Sequence, residues 1–374
     1  MRILYVLTSL GVGGAEKQAI ALAERMTARG HTVAFIVLIH ADEEWPVKLP
    51  VLRLNLKKTP LGMLRGLQFA RKFLALFRPD LLHSHTFPAN IFTRLLNLPF
   101  SSEAKQSNAP IVLNTIHNVY EGHWHRTLIY QATRRMAHFV TAVSADAAER
   151  FMRVHAVSKK KMQVLTNGIE IEGFVPDRRR RRRVRAQMKT ANAFVWIAVG
   201  RVAPAKDYPN LLKSWERVHS IHPNAQLWIA GEGDISSLLP QGDSAAISNS
   251  TGVRWLGLRR DIADLLDAAD GYVLSSAWEG MPLALGEAMA MEKVIVATDV
   301  GGVRDLAGDV GHIVPVGNSQ ALADEMLKVM AMLEEARSVM GRDARLRIKL
   351  NFSIDAKAEE WEQLYSKLTK SGQA

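Results

Sequence analysis

The sequence contains no cysteine, which removes disulfide frameworks and thiolate zinc sites and leaves nothing that argues for an oxidising compartment. It has no apolar segment approaching the roughly 18 to 20 residues needed to span a bilayer, so the chain is expected to be soluble or to lie on a membrane surface. The opening MRILYVL carries one early arginine and an apolar run of about six residues, shorter than the roughly 7 to 15 of a signal-peptide core, and leads into a glycine loop. It reads as the buried first strand of a cytoplasmic protein. No two aspartates stand two residues apart, so no metal is expected to be bound through such a motif. Self-similarity at the 20 to 50 residue periods of solenoids is absent as well.

What remains is a chain of 374 residues, 48% hydrophobic, enough for two domains with a core each. Its net charge of +11 is unevenly placed. Met1 to Asn167 holds 22 Lys and Arg against 10 Asp and Glu, a balance of +12, and the remainder is close to neutral at −1. The first half therefore suits an anionic partner such as phospholipid headgroups or a pyrophosphate-linked acceptor. A solubilising surface is the plain alternative.

Short apolar runs alternate with amphipathic stretches, the pattern of βα units around a buried parallel sheet. Strands are expected at 3–7, 33–39, 81–85, 111–117 and 139–143, with helices at Ala15 to Arg29 and Leu64 to Phe77. The pattern restarts at 194–201 and continues through 226–233, 253–257, 271–276, 294–298 and 312–316. Two doubly wound α/β domains follow, with a seam near 168–190. The arginine run Arg178 to Arg183 in that seam is a phosphate patch or, on the simpler reading, a solvated linker or helix face. Segments 101–109 and 240–251 read as exposed loops. From Ser353 to Lys370 the spacing of Ile354, Ala358, Trp361 and Leu364 predicts a helix with one apolar face and Ser353 as its N-cap.

In open parallel sheets, ligands bind beyond the carboxyl ends of the strands. After the first strand comes GVGGAEKQ (11–18), a glycine loop opening a helix whose amides can approach an anion. It is not the dinucleotide fingerprint, because Glu16 stands where the third glycine belongs. GRVAPAKD (200–207) places Arg201 and Lys206 in one strand-to-helix loop, a pairing suited to a diphosphate. In SSAWEGMPLALGEAMA (275–290), Pro282 is expected in the first helical turn, Glu279 in the loop before it, and Glu287 about five residues into the helix. Glu287 is an exposed helical acid on the plain reading, but alanine, leucine and methionine surround it, and a glutamate in such a setting usually has a partner; a ribose diol is one that a carboxylate can hold. His117 ends the strand of NTIH, facing a substrate or serving structure. His83 and His85 share a strand face at period two and read as packing or cleft lining.

Taken together, GGAE (13–16), NTIH (114–117), VSADAAERF (143–151), TNGI (166–169), GRVAPAKD (200–207), IAGEG (229–233) and the Glu279/Glu287 pair resemble family 4 of the retaining GT-B glycosyltransferases. The resemblance covers nearly the whole chain. It implies a GT-B fold of two Rossmann-like, doubly wound α/β domains facing a cleft. Residues 1–170 would form an acceptor-binding domain, 171–352 a nucleotide-sugar domain, and 353–374 a helix crossing back to the first. Arg201 and Lys206 would hold the donor diphosphate, Glu287 the ribose, and Leu258 of WLGL backbone groups against the base. Glu279 and the amides of Gly280, Met281 and Leu283 would meet sugar and phosphate; His117 would contact the sugar near the reacting carbon, and Gly13 and Gly14 would approach the diphosphate. Two stretches depart from the usual pattern: Glu292 and Val294 replace a helix-ending glycine and a proline, and Arg304 and Asp305 replace a proline and a glutamate.

The implied reaction is transfer of a hexose or N-acetylhexosamine, with retention, from a nucleotide-diphosphate sugar, UDP favoured, to a hydroxyl of a lipid-linked or cell-surface glycan. Such work belongs to polysaccharide or lipopolysaccharide biosynthesis. Charge on the leaving group would be stabilised electrostatically and the site assembled by domain closure. No cofactor beyond the substrate, no metal and no nucleic acid is expected; the basic half would favour peripheral contact with the inner face of the cytoplasmic membrane. A sugar-nucleotide epimerase or hydrolase of the same architecture would differ by consuming donor without acceptor. A basic membrane-surface or nucleic-acid binding module would ignore substitution of Glu279 or Glu287.

Overall fold

The computed structural model describes residues 1–57, 59–98, 109–190, 192–234 and 251–371. The chain forms two compact units: Met1–Gly168 together with a helix that begins at Ile354, and Ile169–Ser353.

The first unit is built on a seven-stranded sheet: β1 (Arg2–Leu7), β2 (Thr32–Val37), β3 (Val51–Arg53), β4 (Leu81–His85), β5 (Ile111–Ile116), β6 (Phe139–Ala142) and β7 (Met162–Val164). Its order is β3-β2-β1-β4-β5-β6-β7, and the pairings are parallel. The helices between them are α1 (Gly14–Ala28), α2 (Pro60–Phe77), α3 (Phe87–Leu96), α4 (Trp124–Ala132) and α5 (Ala145–Arg153). Helix α2 starts a turn earlier than the apolar spacing predicts because the Thr59 hydroxyl accepts from the Gly62 amide at 3.0 Å, a cap placed ahead of the periodic residues.

Side-chain alternation sorts the strands onto two faces. Ile3, Tyr5, Leu7, Val33, Phe35 and Val37 pack on one side with α1, while Leu4, Val6, Ala34 and Ile36 pack on the other with Leu67, Ala70 and Phe92 of α2 and α3. Because both faces are covered, the strands are continuous apolar runs instead of alternating ones.

The second unit repeats the design with β8 (Val195–Val199), β9 (Gln226–Ala230), β10 (Val253–Gly257), β11 (Gly271–Leu274), β12 (Val294–Thr298) and β13 (His312–Val314), in the order β10-β9-β8-β11-β12-β13. Its helices are α6 (Arg178–Gln187), α7 (Tyr208–Ile221), α8 (Ile262–Ala268), α9 (Leu283–Ala290), α10 (Val303–Ala307), α11 (Ser319–Ala331) and α12 (Glu334–Asn351). The expected loops at 101–109 and 240–251 lie, apart from their last residues, outside the described residues.

Helix α13 (Ile354–Ser371) returns to the first unit. Ala358, Trp361, Leu364 and Tyr365 join the β1 and β2 side chains in one buried cluster.

The arginine run opens helix α6, and part of it is engaged within the second unit instead of solvated. Asp177 caps α6, and Arg180 and Arg183 turn toward α8, where they meet Asp267 at 2.8 Å and Asp264 at 3.1 Å. Arg181 and Arg185 both reach Asp270 just beyond it, at 2.5 and 3.2 Å. Arg181 also donates to the carbonyls of Asp267, Ala268 and Ala269, satisfying acceptors that the end of α8 leaves open. Arg178, Arg179 and Arg182 remain exposed.

Candidate functional site

Each sheet reverses its winding once, between β1 and β4 in the first unit and between β8 and β11 in the second. A crevice opens at such a switch point, beyond the carboxyl ends of the strands. Most of the predicted residues lie at or next to these two positions, one group in each unit, whereas Leu258 follows β10, two strands away from the switch.

In the second unit the β8–α7 loop carries Arg201 and Lys206, and the β11–α9 loop carries Glu279, Gly280 and Met281. The structure joins the two loops directly: Lys206 Nζ donates to Glu279 Oε1 at 2.6 Å, and Ser276 Oγ donates to the same oxygen at 2.7 Å. Ser275 Oγ adds a bond to the Lys206 carbonyl at 2.8 Å. Glu279 is buried, and a carboxylate in that position needs the two donors it has. Arg201 is exposed beside them.

Helix α9 begins at Leu283 with Pro282 as its N-cap residue. This corrects the expectation that the proline lies inside the first turn. The cap position fits because a proline with extended backbone directs the chain into the helix and has no amide to leave unpaired. Glu287 is the fifth residue of α9 and is buried. Leu258 follows β10 and is half-buried, beyond a break in the β10–β9 register at Trp255 and Gly257.

Several residues that shape this site were assigned no role by the sequence pattern. A Cβ on Gly231 would stand 1.9 Å from the Gly200 carbonyl oxygen, so only glycine lets β9 run under the β8–α7 loop. Gly301, at φ +50°, lies with its Cα side against the Glu279 and Gly280 carbonyls, and the Gly302 amide donates to Gly280 O at 2.6 Å. Tyr208 Oη donates to the Gly200 carbonyl at 2.5 Å. Burial and the nearby Glu279 carboxylate push both the Tyr208 and Tyr272 hydroxyls above their ordinary range, so both stay protonated and neutral. Tyr272 Oη is buried with no hydrogen-bond partner among the described residues.

In the first unit Gly13 is the N-cap of α1 and Gly14 its first residue. The Gly13 amide folds back to the Gly11 carbonyl at 2.8 Å, closing a tight turn just ahead of the helix.

His117 lies one residue beyond β5 and is not alone: its Nε2 is 2.7 Å from Nδ1 of His85. His83 sits next to His85 with ring centroids 4.2 Å apart, held by Tyr365 Oη and Thr115 Oγ1, each at 2.7 Å. Burial lowers all three imidazoles, His117 to about 3, so they are neutral. Glu121 follows in the same loop. Its carboxyl accepts from Tyr130 Oη at 2.6 Å, and burial raises it to about 7 against the opposing pull of that bond, the His117 amide, Arg126 and Arg94.

Among the described residues no group of three or more His, Asp or Glu side chains could hold a metal ion. No helix of the described residues is long and apolar enough to cross a membrane.

Two family models match the chain, glycosyltransferase family 4 over residues 12–172 and glycosyl transferases group 1 over 193–332. The UDP-Gal:alpha-D-GlcNAc-diphosphoundecaprenol alpha-1,3-galactosyltransferase of Escherichia coli is 22% identical over 79% of this chain and 77% of its own length. The phosphatidyl-myo-inositol mannosyltransferase of Mycobacterium tuberculosis is 27% identical over 85% and 84%. Among solved structures, Anabaena HepE in complex with UDP superposes with a TM-score of 0.80 at 19% identity, over 98% of this chain and 100% of that one. WaaG, a glycosyltransferase involved in lipopolysaccharide biosynthesis, gives 0.75 at 15% identity over 97% and 99%. With one model on each unit, and with relatives and structural neighbours that run through both, the chain belongs to the family 4 GT-B glycosyltransferases.

Proposed function

We propose that this glycosyltransferase acts with retention, moving a hexose or N-acetylhexosamine from a UDP-linked donor to a hydroxyl of a lipid-linked or cell-surface glycan. The observation that carries the donor half is the convergence of Lys206, Glu279 and the start of α9 at one switch point, with Arg201 exposed alongside. A diphosphate docked there would meet a cationic loop and free helix amides together. Both stabilise the charge that develops on a departing nucleoside diphosphate. Glu279, and the amides of Gly280, Met281 and Leu283, are assigned to the transferring sugar and its phosphate, Glu287 to the ribose, and Leu258 to the base. In the first unit, His117 is assigned to the sugar and Gly13 and Gly14 to the diphosphate. No cofactor is assigned a part.

The names of the relatives support the substrate classes: one takes UDP-Gal to a diphosphoundecaprenol-linked sugar, one acts on a phosphatidylinositol, and HepE has been crystallised with UDP-glucose. The first unit adds a surface suited to a lipid-linked acceptor. Residues 45–79 contain eight Lys and Arg and no Asp or Glu. Helix α2 within that stretch leaves Leu61, Leu64, Phe69 and Leu76 exposed, Leu76 by 81%. A helix apolar outside as well as inside, and basic without acids, is built for the interface of an anionic bilayer.

Incubating the protein with UDP-sugars, with and without a polyprenyl-diphosphate-linked sugar, tests the reading. Acceptor-dependent release of UDP and a product with the donor's anomeric configuration are expected. Donor consumption that ignores the acceptor would identify an epimerase or hydrolase instead, and an inverted product would remove retention.

A further inference from the structure

The His85–His117 contact fixes which nitrogen of His117 carries its proton. Both rings are neutral, so one of the two facing nitrogens, His85 Nδ1 and His117 Nε2 at 2.7 Å, bears a hydrogen and the other a lone pair. The choice is made at the far side of His85. Its Nε2 is buried with no hydrogen-bond partner among the described residues, and the residue as a whole is 1% exposed. An orphaned buried N–H is a rarer and costlier defect than a buried lone pair left unpaired. His85 therefore keeps its hydrogen on Nδ1 and donates it to His117 Nε2.

Neighbouring contacts hold this arrangement in place. His85 ends β4 opposite Thr115 of β5, and His117 lies two residues further along on the same face. His83, with both nitrogens engaged, packs against the His85 ring, and Tyr5 stacks on it with centroids 6.0 Å apart. A half-turn of the ring within this packing would set Cδ2 against His117 Nε2 and lose the bond between them.

We infer that His85 is a positioning residue that locks His117 as the Nδ1–H tautomer, so that His117 offers substrate a hydrogen-bond donor and not a base. Its Nδ1 has no acceptor among the described residues, and a sugar hydroxyl oxygen is the group it would take. This inference rests on the proposal that His117 contacts the sugar, yet the tautomer can be read without any substrate.

Long-range proton–nitrogen correlation spectra of the intact protein labelled with 15N-histidine measure the tautomers directly. The twelve histidines are sorted by comparison with His85→Asn and His117→Gln. Expected are His85 and His117 both protonated on Nδ1; a His117 protonated on Nε2 overturns the inference. In transfer assays His85→Leu should lower kcat about 10- to 100-fold with little change in donor KM, the cost of a reacting imidazole in the wrong tautomer or orientation. His85→Asn, which puts an amide N–H where Nδ1–H stood, should recover most of it. Unchanged kcat in a folded His85→Leu overturns the positioning role. Wild-type transfer by His117→Ala with the expected spectrum would instead remove the assignment of His117 to the sugar and leave its tautomer standing.

Discussion

Replacing Glu279 by glutamine should separate binding of the leaving group from turnover. In the free protein Glu279 neutralises Lys206 across 2.6 Å. A nucleoside diphosphate approaching the other side of that ammonium would sit about 5 Å from the carboxylate, where two like charges repel by about 3 kcal/mol at an effective dielectric of 20. The Lys206 and Glu279 side chains are 19% and 11% exposed, so water screens part of this, and about 1.5 kcal/mol is a fair remainder. Glutamine keeps the shape and an oxygen for Ser276 and Lys206 but drops the charge. UDP should then bind Glu279→Gln roughly tenfold more tightly than wild type, measured by titration calorimetry, since about 1.4 kcal/mol is a factor of ten. Turnover should fall by about 10² to 10³, because the sugar loses its charged partner as positive charge develops on it. Lys206→Met should do the reverse to binding, weakening UDP while leaving the buried Glu279 carboxylate with Ser276 but without its cation, at a cost of about 1 to 3 kcal/mol in stability. Equal or weaker UDP binding by a folded Glu279→Gln would refute the reasoning, because the diphosphate could not then be sharing Lys206 with Glu279.

Gly231→Ala places a methyl against backbone of the Arg201 loop, 1.9 Å from Gly200 O, and should cost about 1 to 3 kcal/mol in stability as well as most donor binding; an unchanged Tm and turnover would contradict the packing. Glu292 ends α9 with φ +58°, the left-handed conformation that glycine adopts without strain, so Glu292→Gly should raise stability by about 1 kcal/mol in denaturant titrations. Glu121 binds a proton in the folded protein up to about pH 7 that the unfolded chain releases near 4.5, so its contribution to stability falls as pH rises between those values and is flat above them. The slope reaches about 1.4 kcal/mol per pH unit at most, and the difference in Tm–pH profiles between wild type and Glu121→Gln should show that slope vanish in the variant.

The sheets were legible because both faces of each are covered. Strands such as Ile3–Leu7 and Val294–Thr298 are buried along their whole length and stand out as unbroken apolar runs. The short edge strands β3 and β7 are half-exposed and gave no such run. Charge was harder to read because its meaning is set at a distance. Nothing near Arg180 and Arg181 shows that Asp267 and Asp270 wait 87 and 89 residues further on. The site shows the same division. Arg201, Lys206, Glu279 and Glu287 could be nominated from the rule that ligands collect where strands end, but the bond between Lys206 and Glu279 spans 73 residues and comes from strand order alone. His117 read as a single histidine for that reason too, since its partner sits 32 residues upstream on the neighbouring strand.

The return of helix α13 sets an order of events during synthesis. Every residue of the second unit has been made once Ser353 emerges, and that unit can close while the ribosome is still working. The first unit, although translated earlier, must wait with the β1 and β2 face of its sheet only partly covered, by α1 alone, until Trp361, Leu364 and Tyr365 arrive. Tyr5 meets Tyr365 across 360 residues of chain. The half made first is finished last, and a nascent chain stalled between the two events carries a half-covered apolar sheet face for a chaperone to guard.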